Sequence, residues 1–309
     1  MTPHTERCVK GSEQGRQMTL QGSIVAIVTP LKDDRIDRKS YKRLIDFHVK
    51  NKTSAILAAG CTGEPATMTM DEHKDLVKYT VDVVDGRCPV IAGTGSNNTR
   101  EAVELSQEAE KAGADAVLLI TPYYNKPMPN GLYLHYKKVA ENVSLPVILY
   151  NVPSRTGISI LPETVCELST VKNIIGIKEA SGSLDQVSKI ISMCRKDFIV
   201  FSGDDSLTVP MMAVGARGVI SVAANVVPLQ VAEMTGAALA GDWEKARRIH
   251  MELLPVFRVL FIETNPIPVK AALGLMKLLQ PEWRLPLTPP SPANLERIRE
   301  VLTKAGVLI

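Results

Sequence analysis

From residue 24 onward, short apolar runs rich in β-branched residues alternate with longer stretches whose apolar positions recur every three or four residues. The runs fall at Ile24–Val28, Ala55–Ala59, Pro89–Ala92, Ala116–Ile120, Pro146–Tyr150, Ile174–Lys178, Phe198–Phe201 and Gly218–Val222. Runs of four to five such residues between turn-forming residues predict buried strands. The intervening Ser40–Lys50, Asp71–Val84, Thr99–Ala112, Leu132–Asn142, Pro162–Leu168 and Ser183–Cys194 carry the helical period. The strands recur every ~20 to 34 residues, which leaves room for one helix and two short loops per unit, as parallel crossovers need.

Each run also ends in a polar or glycine-bearing loop, among them Gly60-Cys61-Thr62-Gly63-Glu64, Gly93-Thr94-Gly95, Thr121-Pro122-Tyr123-Tyr124 and Ser202-Gly203-Asp204-Asp205. Eight strand–helix units with unusual residues at the strand C-termini predict an α/β fold, a (β/α)8 TIM barrel with its site on that face. A doubly wound sheet is the rival. It loses because no complete GxGxxG opens a helix, and Gly93-Thr94-Gly95 lacks the third glycine and the acidic partner.

Beyond residue 227 the strand pattern stops. Val227–Gly241 predicts the eighth barrel helix, and Asp242–Phe261, Asn265–Leu279 and Asn294–Ala305 predict further helices, with a proline-rich link at Pro286–Pro292. The expected organisation is a barrel over 19–241 and a C-terminal helical extension over 242–309 packed on it. Residues 1–18 are polar, with no apolar core of a secretory signal, and read as a disordered tail or an over-long start.

Composition narrows the function classes. A formal charge of +3 on 309 residues, with no basic block interleaved with aromatics, gives no footprint for nucleic acid. The apolar runs are too short to span a bilayer. The five cysteines, Cys8, Cys61, Cys88, Cys166 and Cys194, are odd in number and form no CxxC pair, which argues for reduced thiols in a cytoplasmic protein and against a zinc site. His48, His73, His135 and His250 lie in predicted helices at no metal-ligand spacing, so neither a metal nor a histidine-based hydrolase is indicated. Met211-Met212 reads as core filling, and Asp204-Asp205 as a helix N-cap.

The chemistry centres on Lys178, the last residue of the apolar run Ile174–Lys178. Burial at a strand end lowers an amine's pKa and frees the lone pair that a Schiff-base nucleophile needs. The alternatives are a lysine reaching into solvent, or one paired with Glu179 or another carboxylate. The glycines of Gly60–Glu64 either let backbone N–H groups converge on a carboxylate or simply form a tight turn. Tyr150 either fills the top core layer or moves protons beside Lys178. Arg155, in Tyr150-Asn-Val-Pro-Ser-Arg-Thr-Gly157, either holds a substrate carboxylate or makes a surface ion pair.

Gly60-x-Thr-Gly-Glu64, Ala92-Gly-Thr-Gly95, Thr121-Pro-Tyr-Tyr-Asn125, Tyr150–Gly157, Gly176-Ile-Lys-Glu179, Ser202–Asp205 and Asn265-Pro-Ile-Pro-Val-Lys270 together closely resemble the dihydrodipicolinate synthase (4-hydroxy-tetrahydrodipicolinate synthase) family, from about residue 20 to the C-terminus. The first and fifth motifs are shared with the wider pyruvate-dependent class I aldolases, which include N-acetylneuraminate lyase. The resemblance implies an imine between Lys178 and pyruvate, whose enamine attacks L-aspartate 4-semialdehyde, with no cofactor. It implies Tyr150 as the acid/base group, and Thr62, Gly203 and the Ile220 carbonyl around pyruvate. Arg155 would take the aldehyde's carboxylate, and Tyr124 would reach in from a neighbouring subunit of a homodimer or dimer of dimers. The position before Thr62 is commonly threonine in the family and here is Cys61, a weaker hydrogen-bonding member of the relay. Ala66, His73, Asn97, Glu101 and Tyr123 match the family's L-lysine feedback site, where Pro65 and Met70 depart from the usual pattern. An aldolase using another aldehyde, and a silent ligand-sensing barrel, are the competing expectations.

Overall fold

The computed structural model describes residues 20–308; the N-terminal stretch read as a tail or over-long start lies outside the described residues. Eight parallel strands close into a barrel: β1 Gly22–Ala26, β2 Ala55–Ala58, β3 Val90–Gly93, β4 Ala116–Ile120, β5 Val147–Asn151, β6 Ile174–Glu179, β7 Ile199–Ser202 and β8 Gly218–Ser221. β1 hydrogen-bonds to both β2 and β8, which completes the closure. The helices of the eight units are α1 Arg38–Lys50, α2 Met70–Val84, α3 Thr99–Lys111, α4 Pro129–Ala140, α5 Pro162–Ser169, α6 Leu184–Met193, α7 Thr208–Ala213 and α8 Pro228–Leu239. α9 Trp243–Val259, α10 Ile267–Leu275 and α11 Pro292–Lys304 form the C-terminal helical part. The sequence pattern misses α7, whose six residues are too few to show a period, and the two-stranded ribbon of Leu31–Lys32 and Arg35–Ile36.

Alternation along the strands separates two cores. Ile24, Leu57, Ile91, Leu118, Ile148, Tyr150, Phe201 and Ile220 fill the barrel interior, while Val25, Ile56, Val117, Leu149, Ile177 and Val219 face the helix layer. β6 departs from strict alternation. Its register against β5 slips between Val147 and Ile148, so that Ile174 pairs with Val147 but Gly176 with Ile148. Ile174 and Ile177 both face the helices although they are three apart, an odd spacing that strict alternation forbids. The bulge resets the phase, and Lys178 thereby points into the barrel. Gly176 is required there, because a Cβ would lie 2.4 Å from the Ile199 carbonyl.

Helix starts follow local chemistry. Thr69 and Glu72 make a capping box on α2, Ser183 caps α6, and prolines open α4, α5 and α8. α10 is buried from Ile267 to Leu273, including Lys270, which meets Glu64 at 2.6 Å with both side chains almost wholly out of solvent. Arg284 adds ion pairs to Glu72 and Asp34. The C-terminal helical part is thus fastened to the loops at the barrel's strand C-termini.

Lys270→Met leaves the Glu64 carboxylate buried without its cation. It is expected to lower stability by about 3–5 kcal/mol, much of it recovered in the double variant Glu64→Leu/Lys270→Met. Urea denaturation followed by circular dichroism checks this; equal stabilities of the parent and Lys270→Met would contradict it.

Candidate active site

Lys178 and Tyr150 are register partners on β6 and β5, and the same tier continues to Ile120 on β4 and Phe201 on β7. The Lys178 Nζ lies 4.2 Å from the Tyr150 ring centroid, and the two residues are 4% and 5% exposed. Burial pulls the Lys178 pKa down to about 8; the Arg155 guanidinium pulls the same way, while Cys61 and Asp205 oppose it. At pH 7 roughly a tenth of such amines are neutral, against about one in three thousand at the ordinary lysine value. Burial pushes the Tyr150 phenol well above its ordinary value, with the Cys61 thiol adding to the rise. A protonated phenol and a partly neutral amine therefore share one desolvated layer.

The alternatives for Lys178 fail on geometry. The Glu179 carboxylate is used by Asn151 Nδ2, Gln186 Nε2 and the Ser181 N–H. Among the described residues no carboxylate lies within ion-pair distance of Lys178. Asp205 is turned away: its oxygens accept from the Ser221 hydroxyl and the N–H groups of Val222 and Ala223. The capping role expected of the Asp204-Asp205 pair belongs to Asp204 alone, which receives the Ser206 N–H. Met211 and Met212 are buried in the core as expected.

A cavity of about 370 Å³ opens over this layer, lined by Lys178, Tyr150, Cys61, Thr62, Arg155 and Gly203 among others. Gly203 sits where a Cβ would lie 2.7 Å from the Ala180 Cβ and 3.1 Å from the Lys178 Cε, so its lack of a side chain makes the room in which the lysine stands. Cys61–Gly63 forms a single 3-10 turn after β2, with Gly63 N–H bonded back to Gly60. Thr62 is buried, and its hydroxyl accepts from Asn265 Nδ2 at 3.0 Å. Arg155 makes no ion pair among the described residues. Its Nη2 donates to the Asn265 carbonyl at 2.9 Å, and the guanidinium faces the cavity.

The side chains of two expected residues lie outside this cavity. Ile220 is packed in the barrel interior and Val222, two residues on, lines the cavity instead of its side chain. Tyr124 is 89% exposed in a left-handed conformation (φ 67°) and does not line the cavity of its own chain. A second cavity of about 590 Å³ shares Cys61, Tyr150, Arg155 and Asn265 with the first and is bordered by Ala66, His73, Glu101 and Tyr123. Asn97 is held beside it, donating to the Tyr123 carbonyl. Burial lowers the His73 pKa, and its ring bonds to the Gly93 carbonyl at 2.8 Å. Sequence reasoning missed Phe257 and Phe261 on the cavity wall and gave Asn265 no separate role. The Asn265-Pro-Ile-Pro-Val-Lys270 motif was the only signal for that position.

Residues 19–305 match the model of the Dihydrodipicolinate synthetase family. A 4-hydroxy-tetrahydrodipicolinate synthase of Persephonella marina is 56% identical over 290 residues, which are 93% of this chain and 99% of that one. Two solved structures align with high TM-scores. The chloride-inhibited dihydrodipicolinate synthase of Acinetobacter baumannii complexed with pyruvate gives 0.92 at 46% identity, covering 94% of this chain and 100% of that one. The DHDPS of Cyanidioschyzon merolae with lysine bound gives 0.91 at 39%, covering 93% and 99%.

Two outcomes are expected. Labelling of Lys178 by an amine reagent should be half-maximal near pH 8, since its neutral fraction grows as pH rises through its pKa; a midpoint near 10.5 would contradict the depressed value. Gly203→Ala should lower stability by about 1–3 kcal/mol and displace Lys178, slowing its labelling at fixed pH.

Proposed function

The chain belongs to the dihydrodipicolinate synthetase family, and on that premise we propose that its residues condense pyruvate with L-aspartate 4-semialdehyde at Lys178. The enzyme is a lyase of lysine and diaminopimelate biosynthesis. The observation that carries the residue assignment is the desolvated amine of Lys178, without an ion-pair partner among the described residues, against the phenol of Tyr150.

The neutral amine attacks the keto carbon of pyruvate. The resulting carbinolamine loses its hydroxyl as water, with the Tyr150 phenol supplying the proton, and leaves an imine on Lys178. Loss of a proton from the methyl carbon gives the enamine. Its carbon attacks the aldehyde carbon of the second substrate, whose oxygen takes a proton and becomes a hydroxyl. The amino group of the former aldehyde then adds to the imine carbon, closes the ring and expels Lys178 as the free amine. Thr62 and its 3-10 turn hold the pyruvate carboxylate, beside Gly203 and the Ile220 carbonyl. Arg155, with no ion-pair partner among the described residues, takes the carboxylate of the aldehyde.

Tyr124 joins Tyr150 through Cys61 when a second copy brings it over the cavity. An exposed aromatic with its backbone held at positive φ supports this reading. A homodimer is then the smallest active unit, and a dimer of dimers the expected assembly. The thiol of Cys61 makes a weaker relay bond than a hydroxyl, so it slows proton transfer along the Tyr150–Tyr124 relay. The second cavity is the L-lysine site: Glu101 and Tyr123 suit an ammonium by charge and by the face of the ring. The free thiols of Cys61, Cys88, Cys166 and Cys194 fit a cytoplasmic enzyme.

Condensation assayed with pyruvate and L-aspartate 4-semialdehyde tests the assignment. Lys178→Ala should abolish turnover, and Arg155→Ala should raise the KM of the aldehyde by about tenfold or more while moving that of pyruvate far less. Turnover retained in Lys178→Ala would remove the mechanism. Preference for a sugar-acid aldehyde would favour the alternative aldolase. Millimolar L-lysine should inhibit, and undiminished activity would remove the feedback reading.

A further inference from the structure

One stretch of the C-terminal helical part reaches the two loops that carry the carboxylate-holding groups. Asn265 is 4% exposed and borders both cavities. Its side-chain amide donates to Thr62 Oγ1 at 3.0 Å, and its main-chain oxygen accepts from Arg155 Nη2 at 2.9 Å, across 203 and 110 residues of chain. Five residues further on, Lys270 grips Glu64, itself two residues after Thr62. The turn bearing Thr62 is therefore held at two points from outside the barrel.

A threonine hydroxyl has one hydrogen and two lone pairs, and it rotates to suit its neighbours. When a lone pair of Thr62 accepts the Asn265 amide, the hydroxyl hydrogen is left for an acceptor in the cavity. Without the amide the hydroxyl rotates freely and a buried lone pair is unsatisfied. We propose that Asn265 is a positioning residue that orients the Thr62 hydroxyl as a donor to the pyruvate carboxylate. This rests on the assignment of Thr62 to pyruvate above. Asn265 acts through Thr62 and does not itself touch the reacting atoms. Arg155 is held by the main-chain oxygen of residue 265, which survives side-chain replacement, so the two substrates respond differently to the same change.

The test is a double-mutant cycle on the condensation reaction. Asn265→Ala should raise the KM of pyruvate about tenfold while the KM of the aldehyde stays within about twofold. Added to Thr62→Val, the same replacement should change the pyruvate KM by less than about twofold, because the group it orients is already gone. A pyruvate KM unchanged in Asn265→Ala overturns the proposal, as does a tenfold effect repeated in the Thr62→Val background, and so does an equal rise for both substrates. Asn265→Asp, nearly isosteric, covers the case in which Asn265→Ala fails to fold. A carboxylate has no proton to give, so Thr62 must donate to it, and pyruvate binding should weaken at least as much; a parental pyruvate KM in Asn265→Asp overturns the proposal. If the parent enzyme fails to condense the two substrates, the functional assignment fails. If it condenses them and the Asn265 variants keep its pyruvate KM, only the role of Asn265 falls.

Discussion

The desolvation of one amine governs this site. Lys178 stands inside the top of the barrel, where an ammonium loses most of its hydration and, among the described residues, meets no carboxylate within ion-pair distance. Its pKa falls because the neutral form is the one the surroundings tolerate. Everything nearby is consistent with that constraint. The bulge in β6 turns the lysine inward, Gly203 leaves it space, and Glu179 and Asp205 are occupied with other donors. A barrel strand without the slip would present position 178 to the helix layer, where the nucleophile would be lost.

The second constraint is the fastening of the active face by chain from beyond the barrel. Glu64 and Lys270 form an ion pair almost without solvent contact, and such pairs are costly to break from one side. Asn265 links the Thr62 turn to the Arg155 loop. Phe257 and Phe261 close the wall of the Lys178 cavity. The wall that this cavity shares with its neighbour includes Cys61, Tyr150 and Arg155, so a ligand in the neighbouring cavity would bear on the groups around Lys178.

Much of this was legible in the order of residues, for physical reasons. Eight short buried runs separated by helical periods admit few architectures, and each strand came within one or two residues of its observed place. Lys178 and Tyr150 stood out because polar residues that end apolar strands are conspicuous, and Thr62 and Arg155 because they lie in the polar loops that follow such strands. The phase reset in β6 was not visible, since Ile174, Ile175 and Ile177 are all apolar and hide which side each faces. Nor was the Asn265 link, a contact spanning 203 residues that no local period can encode. α7 was missed because six residues make too short a pattern, and the exposed position of Tyr124 follows from a loop conformation that spacing does not reveal.

The most direct test of the central claim is to incubate the protein with pyruvate and borohydride, digest it, and map the reduced adduct by mass spectrometry. A desolvated nucleophile at the top of the barrel requires the adduct on Lys178 and on no other lysine. An adduct on a different lysine, or condensation proceeding with no adduct formed, would contradict it.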